Sequence, residues 1–145
     1  MKVLMAEDLE SVREHLSRLM AEVEGIELRF LRQDAAPLLQ TTADWQPEAL
    51  IIDIRMRGMM MLGILGECKK RWPNMAIVVS GFAFEPYYRS AFLKNGADYA
   101  FDKTVEWSEL IAFLVSRQVP AASIRADVPL MAPAQIDAAR SSQNE

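Results

Sequence analysis

Leu50-Ile51-Ile52-Asp53-Ile54-Arg55-Met56-Arg57-Gly58 is the stretch that decides the fold. No polar residue breaks the run before Asp53, and Ile51 and Ile52 are β-branched. The segment therefore reads as a strand buried on both faces of a parallel sheet. Asp53 then stands at the carboxyl end of that strand. Ligands of open α/β sheets bind outside this edge, so an acid there has a functional meaning that an acid on a helix surface lacks. Taken alone, Asp53 reads first as a turn or helix-capping aspartate. The functional reading needs matching chemistry at other strand ends.

That chemistry appears on both sides of the stretch. Upstream, Lys2 to Met5 form an apolar run that ends at Ala6-Glu7-Asp8, delivering two adjacent acids. Val12, Leu16, Leu19, Met20 and Val23 follow at helical spacing, with Gly25 as a C-terminal stop. His15, at the edge of that stripe, reads as an ordinary surface residue. Ile26, Leu28, Phe30 and Leu31 make a second strand, and Asp34 with Pro37 opens a short helix through Leu38 and Leu39. Trp45-Gln46-Pro47 breaks the chain before the Asp53 strand.

Downstream, Met61, Leu65, Cys68 and Trp72 carry a helix that ends at Pro73-Asn74. Its interior Gly63 and Gly66 each cost about 1 kcal/mol relative to alanine, so its stability comes mainly from packing. Met75 to Val79 form a fourth run ending in Ser80-Gly81. Pro86 starts a helix through Tyr88, Phe92 and Leu93 that stops at Asn95-Gly96. Tyr99-Ala100-Phe101 is a short fifth strand ending at Lys103. A last helix carries Leu110, Ile111, Leu114 and Val115 on its buried side and ends before Pro120. Five strands thus alternate with five helices, the signature of an α/β fold with a parallel sheet and right-handed crossovers.

The 145 residues suffice for one hydrophobic core and are too few for two ordinary domains. A net charge of −4 gives no electrostatic case for direct nucleic-acid binding. One cysteine excludes an internal disulfide and a cysteine metal cluster. No apolar run approaches a membrane span, and no signal peptide is evident, so membrane insertion is not expected and a cytoplasmic location is. Residues 120–145, with three prolines, many alanines and a Ser-Ser-Gln-Asn-Glu end, read as a disordered tail in which Ala134 to Arg140 fit a short helix.

A parallel sheet gathers Glu7, Asp8, Asp53, Ser80 and Lys103 at one edge. Clustered carboxylates repel unless a cation sits among them, and an oxygen-only set suits Mg²⁺. Such a metal, an ammonium and a hydroxyl together neutralise three phosphoryl oxygens during transfer to a carboxylate.

On these residues, with Gly96-Ala97-Asp98 leading to Lys103, the chain resembles a response-regulator receiver domain, the stand-alone type of chemotaxis regulators. The resemblance covers about residues 1 to 118 and places the domain at 1–119. It implies a flavodoxin-like, doubly wound five-stranded parallel sheet of order 2-1-3-4-5. It implies Asp53 as phosphoacceptor, with Lys103 and Ser80 contacting the phosphoryl group. For Mg²⁺ it implies Asp8, Asp53 and the Arg55 backbone carbonyl as ligands, and Glu7 through water. The implied phosphodonor is a sensor histidine kinase or histidine phosphotransfer protein, and the output is contact with a downstream protein or onward phosphorelay, by a monomer or weak dimer. The chain itself is then no enzyme, beyond taking up and hydrolysing its own phosphoryl group.

Departures from the family pattern matter as well. The Met-Pro and Asp-Gly pairs common after the acceptor are replaced around Met56-Arg57 and Met60-Met61. Thr104 follows Lys103 in place of proline, and Ala100 stands at the usual aromatic position. These departures keep open a pseudo-receiver that binds partners without phosphorylation. An aspartate-nucleophile phosphatase needs a second aspartate two residues after the first, where this chain has Arg55. A flavin domain of the same strand order needs a Ser/Thr/Gly-rich loop after the first strand, which is missing.

Overall fold

The computed structural model describes residues 1–32, 36–55, 61–82 and 85–118. Five strands and five helices alternate: β1 (Lys2–Ala6), α1 (Glu10–Ala21), β2 (Glu27–Leu31), α2 (Ala36–Trp45), β3 (Ala49–Asp53), α3 (Met61–Arg71), β4 (Ala76–Gly81), α4 (Pro86–Lys94), β5 (Tyr99–Asp102) and α5 (Trp107–Gln118). The strands form one parallel sheet, as the α/β alternation predicts, in the order β2-β1-β3-β4-β5 that the family resemblance implies. The chain divides into two compact units. Met1–Trp107 contains the whole sheet with α1 to α4, and Ser108–Glu145 contains the rest of α5. The tail expected over 120–145, the Asp34 helix start and the Met56 to Met60 loop lie outside the described residues.

Burial explains the strand patterns. Every residue of β3 and β4 is buried, so neither strand alternates in sequence, whereas β2 at the sheet edge keeps residues such as Glu27 and Arg29 exposed. Leu4, Ala6, Leu50, Ile52, Ile77 and Val79 share one face of the sheet. They pack with Leu38 of α2, Leu65 and Cys68 of α3 and Phe92 of α4. Residues of the other parity, including Met5, Ile51 and Val78, point to the opposite face.

Helix ends depart from the sequence expectation in instructive ways. α1 stops at Ala21, where the Glu22 and Val23 N–H groups turn back to the Leu19 and Met20 carbonyls, so Val23 falls beyond the helix. α2 runs ten residues, longer than the short helix expected, and the buried Thr42 hydroxyl donates to the Leu38 carbonyl within it. Val115, expected on the buried side of α5, is 39% exposed. It lies one residue past Leu114 and so falls off the stripe that Leu110 and Leu114 make four apart. α4 starts at Pro86 as expected, yet buries only Phe92 and leaves Tyr87 and Tyr88 exposed. Gly96, which follows it, has φ +121°, and a side chain there would meet the Leu65 carbonyl at 3.1 Å.

Candidate functional site

Sheet register builds the site. Asp53 pairs with Ser80, and Met5 with Ile51, which sets Glu7 beside Asp53 at the next step of the same row. Partners across a parallel ladder point to the same face, so Glu7, Asp53 and Ser80 project together at the carboxyl edge. Backbone bonds continue past the strands and hold the loop bases. The Ile54 N–H donates to the Ser80 carbonyl, the Glu7 N–H to Leu31 and the Lys103 N–H to Gly81. The last of these brings Lys103, from the loop after β5, over the row.

Lys103 Nζ donates to Glu7 Oε1 at 3.0 Å and Oε2 at 3.2 Å, and also to Asp53 Oδ2. Its side chain and that of Glu7 are fully buried, and that of Asp53 nearly so. The second Asp53 oxygen accepts the Arg55 N–H at 2.6 Å, with Arg55 Nε 3.6 Å away. The Ser80 hydroxyl is buried and has no hydrogen-bond partner among the described residues. A buried hydroxyl left unsatisfied is a costly arrangement that a ligand oxygen would relieve.

Two carboxyl groups this close cannot both ionise cheaply. Burial pushes Glu7 up to about 8, and the hydrogen bond and charge of Asp53 push the same way against the pull of Lys103. Burial acts on Asp53 too, but hydrogen bonds from Glu7, Lys103 and the Arg55 N–H outweigh it and hold the group below its ordinary value. The two groups are thus pushed apart, Glu7 upward and Asp53 downward, and Glu7 is the one that favours the proton.

The structure brings together four of the expected site side chains: Glu7, Asp53, Ser80 and Lys103. Asp8 is exposed, whereas its neighbour Glu7 is buried. Arg13 is a site-shaping residue that the sequence reading missed. It is buried, and Nη1 donates to the Glu7 carbonyl at 2.8 Å and the Asp8 carbonyl at 2.7 Å, pinning the acidic loop. A cation directly beside Val12 within the apolar stripe was the available signal. His15, read as a surface residue, is half-buried and packs edge-on against Trp107, their ring centroids 4.6 Å apart. Phe82 lies over the site: its ring centroid is 4.5 Å from Lys103 Nζ and 5.1 Å from the Arg55 guanidinium carbon.

The donor set fits a hard divalent cation in kind, because it is oxygen-only. It is not preassembled. Among the described residues no group of three or more His, Cys, Asp or Glu side chains is placed to hold a metal, and the Lys103 ammonium donates to both buried carboxylates.

The response regulator receiver domain model matches residues 3–115. The response regulator GacA of Pseudomonas aeruginosa is 22% identical over 110 residues, which cover 76% of this chain and 51% of GacA, so the chain spans about half the length of that relative. RcsB of Salmonella enterica serovar Typhimurium, solved bound to a promoter in the presence of phosphomimetic BeF₃⁻, matches with TM-score 0.71 at 19% identity, covering 84% of this chain and 70% of that one. The receiver domain of the putative response regulator NarL from Mycobacterium tuberculosis gives 0.68 at 18% identity, covering 82% and 97%. At such identities the structural matches speak for the fold, and the family model, spanning most of the sequence, decides membership: this chain belongs to the response regulator receiver domain family of two-component signalling.

Proposed function

We propose that the chain, through a receiver domain at 1–119, is a phosphorylation switch whose acceptor is Asp53. The observation that carries this reading is the Asp53 carboxylate itself: buried, held ionised, and flanked in one row by the Lys103 ammonium and the orphaned Ser80 hydroxyl. An Asp53 oxygen attacks the phosphorus of a phosphohistidine on a sensor kinase or phosphotransfer protein. The P–N bond breaks, its electron pair returns to the imidazole, and an acyl phosphate forms. Lys103 and Ser80 receive two phosphoryl oxygens. Asp8, Asp53 and the Arg55 carbonyl would hold Mg²⁺, with Glu7 acting through water, and the ion when bound supplies positive charge against the phosphoryl oxygens. The phosphorylated form then signals by protein contact or relays the group onward, in the cytoplasm, as a monomer or weak dimer. BeF₃⁻ in the RcsB structure is consistent with such a switch in a relative of the same fold.

A phosphorylation-independent binding module is the second reading, because Lys103 already neutralises the carboxylates without any phosphoryl group. Incubating the chain with Mg²⁺ and acetyl phosphate and measuring intact mass separates the two. We expect one acid-labile phosphoryl group on the wild type and none on Asp53→Asn. An unmodified wild type would establish the binding module instead.

Phe82 and Arg55 bear on how long the group persists. Hydrolysis needs a water in line with the P–O bond, oriented by a hydrogen-bond acceptor. Arginine has no acceptor, and a phenyl ring covers without hydrogen bonding. Their stacked arrangement beside Asp53 favours slow hydrolysis. Replacing the pair, Arg55→Asn with Phe82→Glu, is expected to speed loss of the acyl phosphate by about tenfold or more. Equal decay in both proteins would show that these side chains do not shield the group.

A further inference from the structure

The two edges of the sheet are finished differently. At β5 the Lys103 N–H bonds inward to the Gly81 carbonyl, so residues of the other parity, Ala100 and Asp102, turn their backbone groups outward. Both are capped. Arg89 Nη1 donates to the Ala100 carbonyl at 2.7 Å, and Glu106 Oε1 accepts the Asp102 N–H at 2.9 Å. An edge closed by side chains is poorly suited to take another strand.

β2 is the opposite edge. Its Glu27 N–H donates to the Met1 carbonyl at 2.8 Å, and its Leu31 carbonyl accepts the Glu7 N–H at 3.1 Å, so Glu27, Arg29 and Leu31 bond towards β1. Leu28 and Phe30, and by the same alternation Ile26, present N–H and C=O to the open side. Among the described residues no side chain caps the Leu28 and Phe30 groups in the way Arg89 and Glu106 cap β5. Glu27 and Arg29 are exposed and have no ion-pair partner among the described residues. The Arg29 guanidinium rests over the Trp45 ring, 4.5 Å from its centroid, which holds it beside the strand.

Charge selects the strand that fits this edge. When a second copy of β2 pairs antiparallel about a two-fold axis, a register centred on Glu27 sets Glu27 against Glu27, and one centred on Arg29 sets Arg29 against Arg29. A register centred on Leu28 sets Glu27 against Arg29 on both sides of the axis. It also lets the outward groups of Leu28 bond those of its own counterpart, and those of Phe30 bond Ile26. The half-buried Leu28, Phe30 and Ile26 side chains then meet apolar partners on the other face. We propose that the open β2 edge is a self-association surface, pairing antiparallel with β2 of a second copy of this chain in the register centred on Leu28.

The test uses the whole chain, unphosphorylated and without Mg²⁺, so it does not depend on phosphoryl uptake at Asp53. Sedimentation velocity over a concentration series is expected to show a reversible monomer–dimer equilibrium in the wild type. Glu27→Arg and Arg29→Glu each set like charges opposite on both sides of the axis and should weaken the dimer about tenfold or more. Combining them restores opposite charges and should recover it. Leu28→Cys should cross-link to its counterpart on mild oxidation, because the paired Cα atoms stand about 5.5 Å apart, within disulfide reach. Cys68 is buried, so the introduced thiol is the accessible one. Phe30→Cys faces Ile26 and should not cross-link. The proposal is overturned by a wild type that stays monomeric throughout, which would leave the edge to an extended segment of another protein. It is equally overturned by a dimer that neither reversal weakens, by a double exchange that stays as weak as the single ones, or by Phe30→Cys cross-linking as readily as Leu28→Cys.

Discussion

Lys103→Met is expected to melt roughly 10 °C below the wild type at pH 7, the equivalent of about 3 kcal/mol for a domain of this size. Methionine replaces the stem of the lysine but not its charge, and it strands two buried carboxyl groups that Lys103 bridges. Removing one partner of a buried ion pair costs more than the pair contributes, because the remaining charge stays desolvated. Here the carboxyls can protonate, which gives the loss a definite pH dependence. Glu7 ionises near its ordinary 4.5 when unfolded and near 8 when folded, so its native stability is complete below about 4.5 and declines as pH rises towards 8. Without Lys103 that decline becomes steeper and Asp53 joins it. The gap between variant and wild type should therefore narrow on acidification to pH 5 and widen towards pH 8, as followed by circular dichroism melts. A variant as stable as the wild type at pH 7, or a gap that widens in acid, would show that Lys103 does not neutralise the pair. The same substitution should nearly abolish phosphoryl-dependent signalling, since the buried ammonium donates directly to Asp53.

The second large effect concerns Mg²⁺ and the proton on Glu7. With Glu7 pushed up to about 8 by burial, the group would have to lose its proton for the carboxylates to take up a cation. Apparent Mg²⁺ affinity should then rise with pH by up to tenfold per unit between pH 6 and 8 and level off above. Trp107, edge-on to Phe101 with ring centroids 4.9 Å apart in the segment that follows Lys103, offers a fluorescence signal for such titrations. Glu7→Gln has no proton to lose, and its affinity should be flat over this range. A wild-type affinity that does not vary with pH would mean that Glu7 is not linked to the metal.

Much of this protein was legible from local pattern. Apolar runs of strand length ending in Asp53, Glu7, Ser80 and Lys103 are written directly in the chain, because a strand buried on both faces needs an unbroken apolar run and its ligand edge needs the residue that breaks it. Alternation of those runs with helical stripes determined the parallel sheet and hence which residues share an edge. Local pattern could not determine which of two adjacent acids turns inward. Glu7 and Asp8 are equivalent as letters, and only the pairing of Met5 with Ile51 sets Glu7 in the row with Asp53.

Nor could it determine what long side chains do. Arg13 reaches back to the acidic loop, Arg89 reaches across to β5 and Glu106, and His15 meets Trp107 from the far side of the sequence. Spacing along one helix says which face a residue occupies, but not which carbonyl or ring the packed chain places opposite that face. The upward push on Glu7 belongs to the same class. It arises from burial and from Asp53, and it works against the pull of Lys103, so it exists only once the sheet has closed around them.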